Sequence, residues 1–483
     1  MNRKLVFNYL GKISVASGAF MIVPAVCAAF YREYTSLLSF LAVGIFTVLL
    51  GLAVCRFVKP KSQLMYVKEG FAIVALAWIV MSFFGSLPFV ISGNIPSISD
   101  AFFETVSGYT TTGATILSDI EALSKSMLLW RSFTHWIGGM GVIVFVMAIL
   151  PNLSDKSVHI MRAEMPGPTF GKLVPRSKDT AKLLYLIYIV MTMIMAVFLL
   201  CGGMSFYETL VHSFATAGTG GFSCNADSIL GYSPYLQWVI TVFMILFGVN
   251  FNLYYYFIIK KSPGAFKSTE LGVFIGIILV SSAAICINVS HMFGNIGDAV
   301  RHSSFTVASI ISTTGYATVD FELWPEFSKS VLFILMFIGG CAGSTGGGLK
   351  VSRIILLVKM IFAEIRRMLH PRAVTAVRFE GKTVEKSTLH SVSAYFALFF
   401  VSYLIIYMVL SFLQPTYGFT ENFTAVATCF NNVGPGFGKI GPTSSFAEYS
   451  EASKWLLSFT MLLGRLEIYP LILTFLPQTW RKD

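Results

Sequence analysis

The sequence has little charge for its length. Only 12% of its 483 residues are charged, whereas soluble domains average about 25%. Hydrophobic residues make up 55% of the chain, and apolar runs of about 20 residues, the length that crosses a bilayer, recur throughout it. This composition excludes an ordinary soluble globular protein, so membrane-spanning helices are the unit to count.

Spacings typical of metal sites and catalytic motifs are also missing. The seven cysteines form no CxxC or Cys/His pattern, so we expect neither a disulfide framework nor a zinc site. No HExxH motif occurs, and no GxSxG motif surrounds Ser344, the residue that an intramembrane hydrolase would need as its nucleophile. The stretch from Gly343 to Lys350 lacks the Gly-Lys-Ser/Thr spacing of a phosphate-binding loop. We expect no enzyme and no organic cofactor.

Ten apolar runs are predicted to cross the membrane. The first two form an N-terminal helix pair, and the other eight form four pairs that each bracket a segment too polar to span. We therefore predict an all-α polytopic membrane protein with four helix–pore-loop–helix repeats around a central pore. The predicted spans are 13–31, 36–58, 70–92, 126–150, 181–203, 234–259, 270–291, 328–362, 387–412 and 452–477. The helix pair occupies 1–66, and the pore repeats occupy 67–160, 161–265, 266–383 (with a broken inner helix) and 384–483.

The distribution of charge predicts the orientation. A net charge of +11 would suggest nucleic acid for a soluble protein, but cytoplasmic loops of membrane proteins collect Lys and Arg. With the N-terminus placed inside, the inner segments hold 27 basic and 9 acidic residues, and the outer segments hold 7 basic and 14 acidic residues. The bias predicts that both termini are cytoplasmic and that the polar segments between paired helices lie on the outer side.

Each of those polar segments contains a similar short loop. A small or polar residue is followed by Thr or Val and then by Gly, at 107–114, 215–222, 312–317 and 430–437. Irregular backbone at membrane depth is tolerated only where it is buried or lines a watery cavity. Four such loops around one axis would direct their carbonyls into a shared pore, where they could replace the hydration shell of a monovalent cation. The alternative is that these glycines only permit tight turns or close helix packing.

A glycine-rich stretch interrupts the eighth predicted span. Six glycines occur within 339–348, and each costs about 1 kcal/mol in a helix relative to Ala. We therefore expect the helix to break inside the membrane and its backbone to line the cavity below the pore loops. A close-packing glycine face and a nucleotide-binding loop are the competing interpretations.

Arg465 is the basic residue that we place at membrane depth, within the last span. An exposed charge there costs about 2.5 to 3.5 kcal/mol, so its side chain should face the pore or a partner. Glu467 is two residues away and therefore not on the same helix face. The alternative is an arginine that snorkels to the inner surface.

Three other sets of residues have open interpretations. The Gly138-Gly139-Met140-Gly141 stretch favours tight packing or a mild hinge over an ion site. Asn250 and Asn252 could line the cavity of the second repeat. His135 and His212 are as consistent with hydrogen-bonded packing as with function.

The repeated loops and the glycine-rich stretch resemble the TrkH/KtrB superfamily of bacterial potassium-uptake proteins, and above all its TrkH branch. The resemblance covers nearly the whole chain and implies potassium uptake across the bacterial inner membrane, with K⁺ as the transported ion. Only the central Gly is common to all four loops, which depart from the Thr-Val-Gly-Tyr-Gly pattern of tetrameric potassium channels. The ion-coordinating filter residues that it implies are Thr111, Thr112, Gly113, Gly218, Thr219, Gly220, Thr313, Thr314, Gly315, Asn432, Val433 and Gly434.

The same resemblance implies a gate and partners. Arg465 would be an electrostatic barrier to cations, next to an intramembrane gate loop of Gly343, Ser344, Thr345, Gly346, Gly347 and Gly348. The implied partners are a second copy in a homodimer and a TrkA-like cytosolic nucleotide-binding regulatory subunit. The inner segment 350–386 holds nine Lys/Arg that could face such a subunit, although the positive-inside rule alone explains them.

The main alternative function is a cation-coupled secondary symporter of the K⁺/H⁺ or K⁺/Na⁺ kind. Broken helices are typical of symporters as well. Symporters usually contain two inverted repeats, however, whereas the four loops here are predicted to lie on one side of the membrane.

Overall fold

The computed structural model describes residues 1–60, 62, 65–141, 177–258, 261, 267–372 and 375–481. The predicted segment 142–150 of the fourth span and the basic segment 151–176 lie outside these residues. Within the described ranges nearly all regular structure is helical. The exception is one two-stranded antiparallel hairpin, β1 (Arg378–Phe379) and β2 (Lys382–Thr383).

The N-terminal helix pair is longer than the apolar runs suggested. Helix α1 (Arg3–Phe20) continues after Met21 into α2 (Ile22–Phe30), and α3 (Tyr34–Phe57) packs antiparallel to them. The predicted start at residue 13 is wrong, because the first turns carry polar residues that are satisfied inside the protein. Asn8 donates from Nδ2 to the carbonyl of Val58 at 2.9 Å.

Each pore repeat consists of a long helix, a half-helix and an inner helix. The first repeat has α4 (Val67–Ile91), α5 (Ile98–Tyr109) and α6 (Lys125–Gly139), and the second has α7 (Ser177–Cys201), α8 (Phe206–Gly218), α9 (Pro234–Phe247) and a further short helix α10 (Phe251–Ile258). The third has α11 (Thr269–Val289), α12 (Ile296–Ile311), α13 (Glu326–Phe337) and α14 (Val351–Leu369), and the fourth has α15 (Lys386–Leu413), α16 (Phe419–Asn431), α17 (Glu451–Arg465) and α18 (Tyr469–Phe475).

The half-helices are too short to cross a bilayer. They contain 12, 13, 16 and 13 residues, which corresponds to about 18 to 24 Å at 1.5 Å per residue. Three begin at a side-chain cap, where Ser97, Ser205 and Asn295 accept a backbone N–H three residues ahead. Each half-helix ends directly at one of the four short loops predicted above, which we call the pore loops.

The inner helices all stop before they complete a span. Helices α6, α9, α13 and α17 end at Gly139, Phe247, Phe337 and Arg465. The break in the third repeat was predicted, but 234–259 and 452–477 are not continuous helices either. The chain bends by 89° between α9 and α10 and by 119° between α17 and α18. Within the described residues, six helices are long and apolar enough to span, or eight if each bent pair counts as one, which is fewer than the ten predicted continuous spans.

A buried ion pair joins the first half-helix to its inner helix. Arg131 Nη2 lies 2.6 Å from Glu104 Oε1, and both side chains are at most 1% exposed. Glu104 also accepts the backbone N–H of Ile116 at 3.0 Å. Arg131 lies near the start of the predicted span 126–150 and was counted among the seven outer basic residues. It is instead an interior residue, which stabilises the segment after the first pore loop.

This pair predicts a stability difference. Arg131→Met leaves a buried carboxylate without its counter-charge, so we expect the free energy of unfolding to fall by about 3 to 5 kcal/mol. The double variant Glu104→Gln/Arg131→Met should recover much of the loss, because no uncompensated charge remains. Arg301→Gln removes the more exposed pair with Asp298 and should cost less than about 1 kcal/mol. Thermal unfolding in detergent measures all three, and equal losses in the single and double variants would contradict the expectation.

Candidate functional site

The four pore loops share one backbone conformation. In each loop one residue, the first or second after the half-helix, has a left-handed backbone. The φ values are 57°, 54°, 60° and 55° at Thr111, Thr219, Thr313 and Asn432. Two residues further on, a glycine has φ of 79°, 76°, 84° and 101° at Gly113, Gly221, Gly315 and Gly434. The N–H between them donates to a carbonyl five residues back at 2.8 to 2.9 Å, from Thr112 to Ser107, Gly220 to Ala215, Thr314 to Ser309 and Val433 to Thr428.

This geometry changes the alignment of the second loop. The sequence aligned Gly220 with Gly113, Gly315 and Gly434, but the backbone angles and hydrogen bonds align Gly221 with them. Thr219 is then equivalent to Thr111, and Gly218 is the last residue of α8 rather than part of the loop. The adjacent glycines at 220 and 221 made both alignments possible in the sequence. Only one of the two glycines has a positive φ.

The four loops contact one another in a closed ring. A Cβ added to Gly113 would collide with the carbonyl oxygen of Gly220, and one on Gly221 would collide with that of Thr314. In the same way Gly315 faces the carbonyl oxygen of Val433, and Gly434 faces that of Thr112 at 2.8 Å from the added Cβ. The order is loop one to two, two to three, three to four and four to one. The structure therefore brings all four predicted loops together around a common centre.

The ring does not have fourfold symmetry in its side chains. The hydroxyls of Thr112 and Thr314 bond to a hydroxyl two residues back, Thr110 at 2.8 Å and Ser312 at 2.7 Å. The equivalent positions in loops two and four are Gly220 and Val433, which have no hydroxyl. In loop four the side chain of Asn432 makes up for the missing hydroxyl. Its Nδ2 donates to Thr112 Oγ1 at 2.9 Å and to the carbonyl of Met461 at 3.1 Å.

The surroundings of the ring favour a cation. The half-helices end at the loops, so their C-terminal ends, which carry partial negative charge, are directed toward the ring. A cavity on one side, which we call the vestibule, is lined by Gly113, Gly221, Gly315 and Gly434. Among the described residues no group of three or more His, Cys, Asp or Glu side chains could hold a metal ion. Backbone oxygens and helix ends are thus the ligands that this site offers.

The chain from 338 to 350, which we call the glycine loop, lies against the ring on the side opposite the vestibule. The Gly347 N–H donates to Thr313 Oγ1 at 2.7 Å, and a Cβ on Gly347 would come within 2.6 Å of the Asn431 carbonyl oxygen. Gly343 and Gly348 have φ of 74° and 67°. Close contact with the ring and left-handed backbone both require glycine at these positions.

The glycine loop is also bonded to the break in the second repeat. The Cys341 N–H donates to the carbonyl of Gly248 at 2.9 Å, and Thr345 Oγ1 donates to that of Phe247 at 3.2 Å. Asn250 and Asn252 lie beside Gly343 in this region rather than at the ring. The broken ends of the second and third inner helices therefore meet beneath the ring.

Arg465 joins the same assembly from the fourth repeat. Its Nη1 donates to the carbonyl of Thr345 at 2.8 Å, and its Nη2 donates to those of Gly138 and Gly139 at 2.6 and 2.9 Å. The guanidinium thus bridges the glycine loop and the end of α6 instead of extending to the surface. The sequence predicted that this charge faces the pore or a partner, and its partners in these bonds are backbone carbonyls of the protein. Gly138 and Gly139 of the glycine stretch 138–141 accept these bonds, a role that the sequence did not suggest.

Glu467 has a different partner, as its spacing from Arg465 indicated. Its carboxylate accepts hydrogen bonds from Nη1 and Nη2 of Arg353, at 2.7 and 2.5 Å. The Arg353 guanidinium also lies 4.0 Å from the ring of Tyr395. Lys350 is 1% exposed and donates to the carbonyl of Gly346. Arg465 is therefore not the only basic side chain inside the protein in this region. Lys350 and Arg353, which the sequence assigned to the inner surface, are buried here as well.

The two histidines support the ring from behind. His135 Nδ1 lies 2.7 Å from the carbonyl of Gly108, and its ring stacks on Phe222 with centroids 4.1 Å apart. The missing side chains of Gly218 and Gly220 leave the space that His135 occupies. His212 Nε2 lies 3.2 Å from Ser223 Oγ. Both are hydrogen-bonded packing residues beside loop two, and no sequence spacing could have placed them there.

Comparison with known proteins gives consistent matches over the whole chain. A family model described as TrkH, cation transport protein, matches residues 37–482. The Trk system potassium uptake protein TrkH is 34% identical in Escherichia coli (strain K12) and 36% identical in Vibrio parahaemolyticus, over 100% of both chains in each case. The crystal structure of the potassium transporter TrkH from Vibrio parahaemolyticus has a TM-score of 0.89 and 32% identity, over 100% of both chains.

These matches confirm the resemblance that the four loops carried. The family model spans most of the sequence, and the relatives are more than 30% identical over their full length. The solved structure shows that the likeness extends to the fold. The chain belongs to the TrkH family of cation transport proteins.

Proposed function

We propose that this chain takes up potassium across the bacterial inner membrane and that the ion passes through the ring of backbone carbonyls. The observation that carries the proposal is the closed contact of the four loops, in which each glycine lies against the carbonyl of the next loop. Carbonyl oxygens around one centre can replace the hydration shell of potassium. The similar proteins carry the name potassium uptake protein, which agrees with this function.

The proposed filter follows the alignment that the backbone angles support. Its segments are 111–113, 219–221, 313–315 and 432–434, so Gly221 replaces Gly218 in the set expected from the sequence. Thr112, Gly220, Thr314 and Val433 supply the carbonyls that face a neighbouring glycine. Because two of these four residues have no side-chain oxygen, the filter depends on backbone ligands.

The proposed gate is the glycine loop with Arg465. Gly343 to Gly348 lie beneath the ring, and the Gly347 N–H donates a hydrogen bond to the Thr313 hydroxyl. Arg465 bonds to this loop through Thr345 and places a positive charge on the path of an ion that leaves the ring. A charge in a medium of low dielectric constant repels a cation far more strongly than it would in water.

The proposed orientation follows from the charge distribution. Both termini are cytoplasmic, the vestibule opens outside, and the exposed basic residues of the segment 350–386 face the cytoplasm. This segment offers a surface to a TrkA-like nucleotide-binding regulatory subunit. We also propose that two copies form a homodimer. The Trk system named in the relatives is consistent with additional components.

The filter proposal predicts that one added methyl group strongly reduces transport. Gly113→Ala places a Cβ against the Gly220 carbonyl at a positive φ, so ⁸⁶Rb⁺ uptake into proteoliposomes should fall by at least about tenfold, the equivalent of about 1.4 kcal/mol. Gly93→Ala is the matched control, because Gly93 also has a positive φ but its added Cβ meets nothing within 4 Å. Equal uptake by the two variants would contradict the filter assignment.

The gate proposal predicts increased transport when the arginine is removed. Arg465→Gln loses three charge-assisted hydrogen bonds to backbone carbonyls and the barrier charge, so ⁸⁶Rb⁺ flux without any cytosolic subunit should rise by about tenfold or more. Arg372→Gln changes an exposed charge of the same type and should leave the flux at the level of the original protein. Unchanged flux in correctly inserted Arg465→Gln protein would remove Arg465 from the gate.

The alternative of a cation-coupled symporter is tested by imposed gradients. We expect potassium and rubidium to move down their own gradients at similar rates with and without a proton or sodium gradient, because a ring of carbonyls conducts ions without a coupled partner. Uptake that requires a proton or sodium gradient would favour the symporter. Replacement of potassium by sodium in the same assay measures the selectivity of the filter.

A further inference from the structure

The hairpin between the third and fourth repeats lies within the basic segment 350–386 and belongs neither to the filter nor to the gate proposed above. Strands β1 and β2 pair between Arg378 and Thr383 and between Phe379 and Lys382. Glu380 and Gly381 form the turn, both with positive φ, 48° and 74°. The strands contain only two residues each, so contacts to the rest of the protein must hold this hairpin in place.

The turn of the hairpin is bonded to the start of α11. Glu380 Oε1 accepts the hydroxyl of Ser268 at 2.9 Å and the backbone N–H of Glu270 at 3.2 Å. The first N–H groups of a helix have no partner within the helix, and an acidic side chain stabilises them. Glu380 therefore caps α11 from a segment 110 residues away in the chain.

Glu270 continues this connection to the glycine loop. Its Oε1 accepts the N–H of Ala342 at 2.7 Å and the N–H of Ser352 at 3.1 Å. Ala342 lies directly before the gate residues 343–348 and Ser352 lies in the first turn of α14, so one carboxylate oxygen joins the chain on either side of the gate residues. Glu270 is 5% exposed, and a buried carboxylate that accepts two backbone N–H groups is a strong restraint on both.

Apolar packing joins the hairpin to the same two helices. Phe379 and Val384 are 3% and 6% exposed and belong to one buried cluster with Phe274 of α11 and Ile355 of α14. Lys359 of α14 also donates to the carbonyl of Arg378 at 2.8 Å. The hairpin, the first turn of α11 and the ends of the glycine loop are thus one packed unit.

We infer that Glu270 is a positioning residue that holds the glycine loop closed, and that Glu380 of the hairpin holds Glu270 in place. This inference rests on the proposed gate. A displacement of the exposed hairpin turn would withdraw the cap from α11, move Glu270 and release Ala342 and Ser352, which flank the gate residues 343–348. The connection consists of two carboxylates in series, so removal of either one should release the loop.

The test is ⁸⁶Rb⁺ flux into proteoliposomes without any cytosolic subunit. Glu270→Ala should raise the flux by about tenfold or more, because both bonds to the loop are lost. Glu270→Gln keeps an oxygen that can accept the same N–H groups and should stay near the level of the original protein. Glu380→Ala should also raise the flux, whereas Glu385→Ala removes a nearby exposed carboxylate that bonds to Ser387 and should not.

A double variant separates a connection in series from a general loss of structure. If Glu380 acts through Glu270, Glu380→Ala adds nothing to the flux of Glu270→Ala, whereas independent effects would multiply. Multiplied effects on the flux would overturn the inference, as would flux in Glu380→Ala equal to that in Glu385→Ala. The second comparison stands even if Glu270→Ala fails to insert. If deletion of Gly343–Gly348 opens the pathway but Glu270→Ala and Glu380→Ala do not, this inference fails and the gate remains. If none of the proteins passes rubidium, the proposed function itself fails.

Discussion

The close approach of four backbones at the ring is the constraint on which the rest of the structure depends. Each of Gly113, Gly221, Gly315 and Gly434 lies where a Cβ would strike the carbonyl of the next loop. The left-handed residues before them turn the chain out of the half-helices, and the caps set where those helices begin. The buried Glu104–Arg131 pair and the His135–Phe222 stack then hold loops one and two from behind. Carbonyl groups held around one centre are ligands that can replace the hydration shell of a cation.

The opposite side of the ring is organised by positive charge and broken helices. The ends of all four inner helices meet there, where their unpaired carbonyls need donors. Arg465 supplies donors to the first and third repeats, and the glycine loop supplies its own N–H groups to the second. Lys350 and Arg353 add charge beside Glu270 and Glu467. One set of groups therefore satisfies the broken backbone, and in the gate that we propose the same groups oppose a passing cation.

Sequence reasoning located the loops and one break but missed the others. The break at 338–350 was predictable because six glycines destabilise a helix. The breaks after Phe247 and Arg465 were not predictable, because the surrounding residues are apolar. The chain turns after Arg465 at Glu467 and Ile468, which have φ of 56° and 65°, and tertiary contacts stabilise this turn. The second loop was aligned one residue early because Gly220 and Gly221 are indistinguishable in sequence. The partner of Glu467 was missed because Arg353 lies 114 residues away.

The sequence by itself determined that this is a membrane protein with four similar loops, each containing a glycine between a half-helix and an inner helix. Hydropathy and local backbone preference are properties of short segments, so they can be read without a fold. Only the tertiary structure decided which glycine of loop two belongs to the ring, which carbonyls Arg465 holds, and which base neutralises Glu467. These outcomes depend on contacts between distant segments, and the free energy of a buried charge or a crowded Cα is set by its neighbours in space.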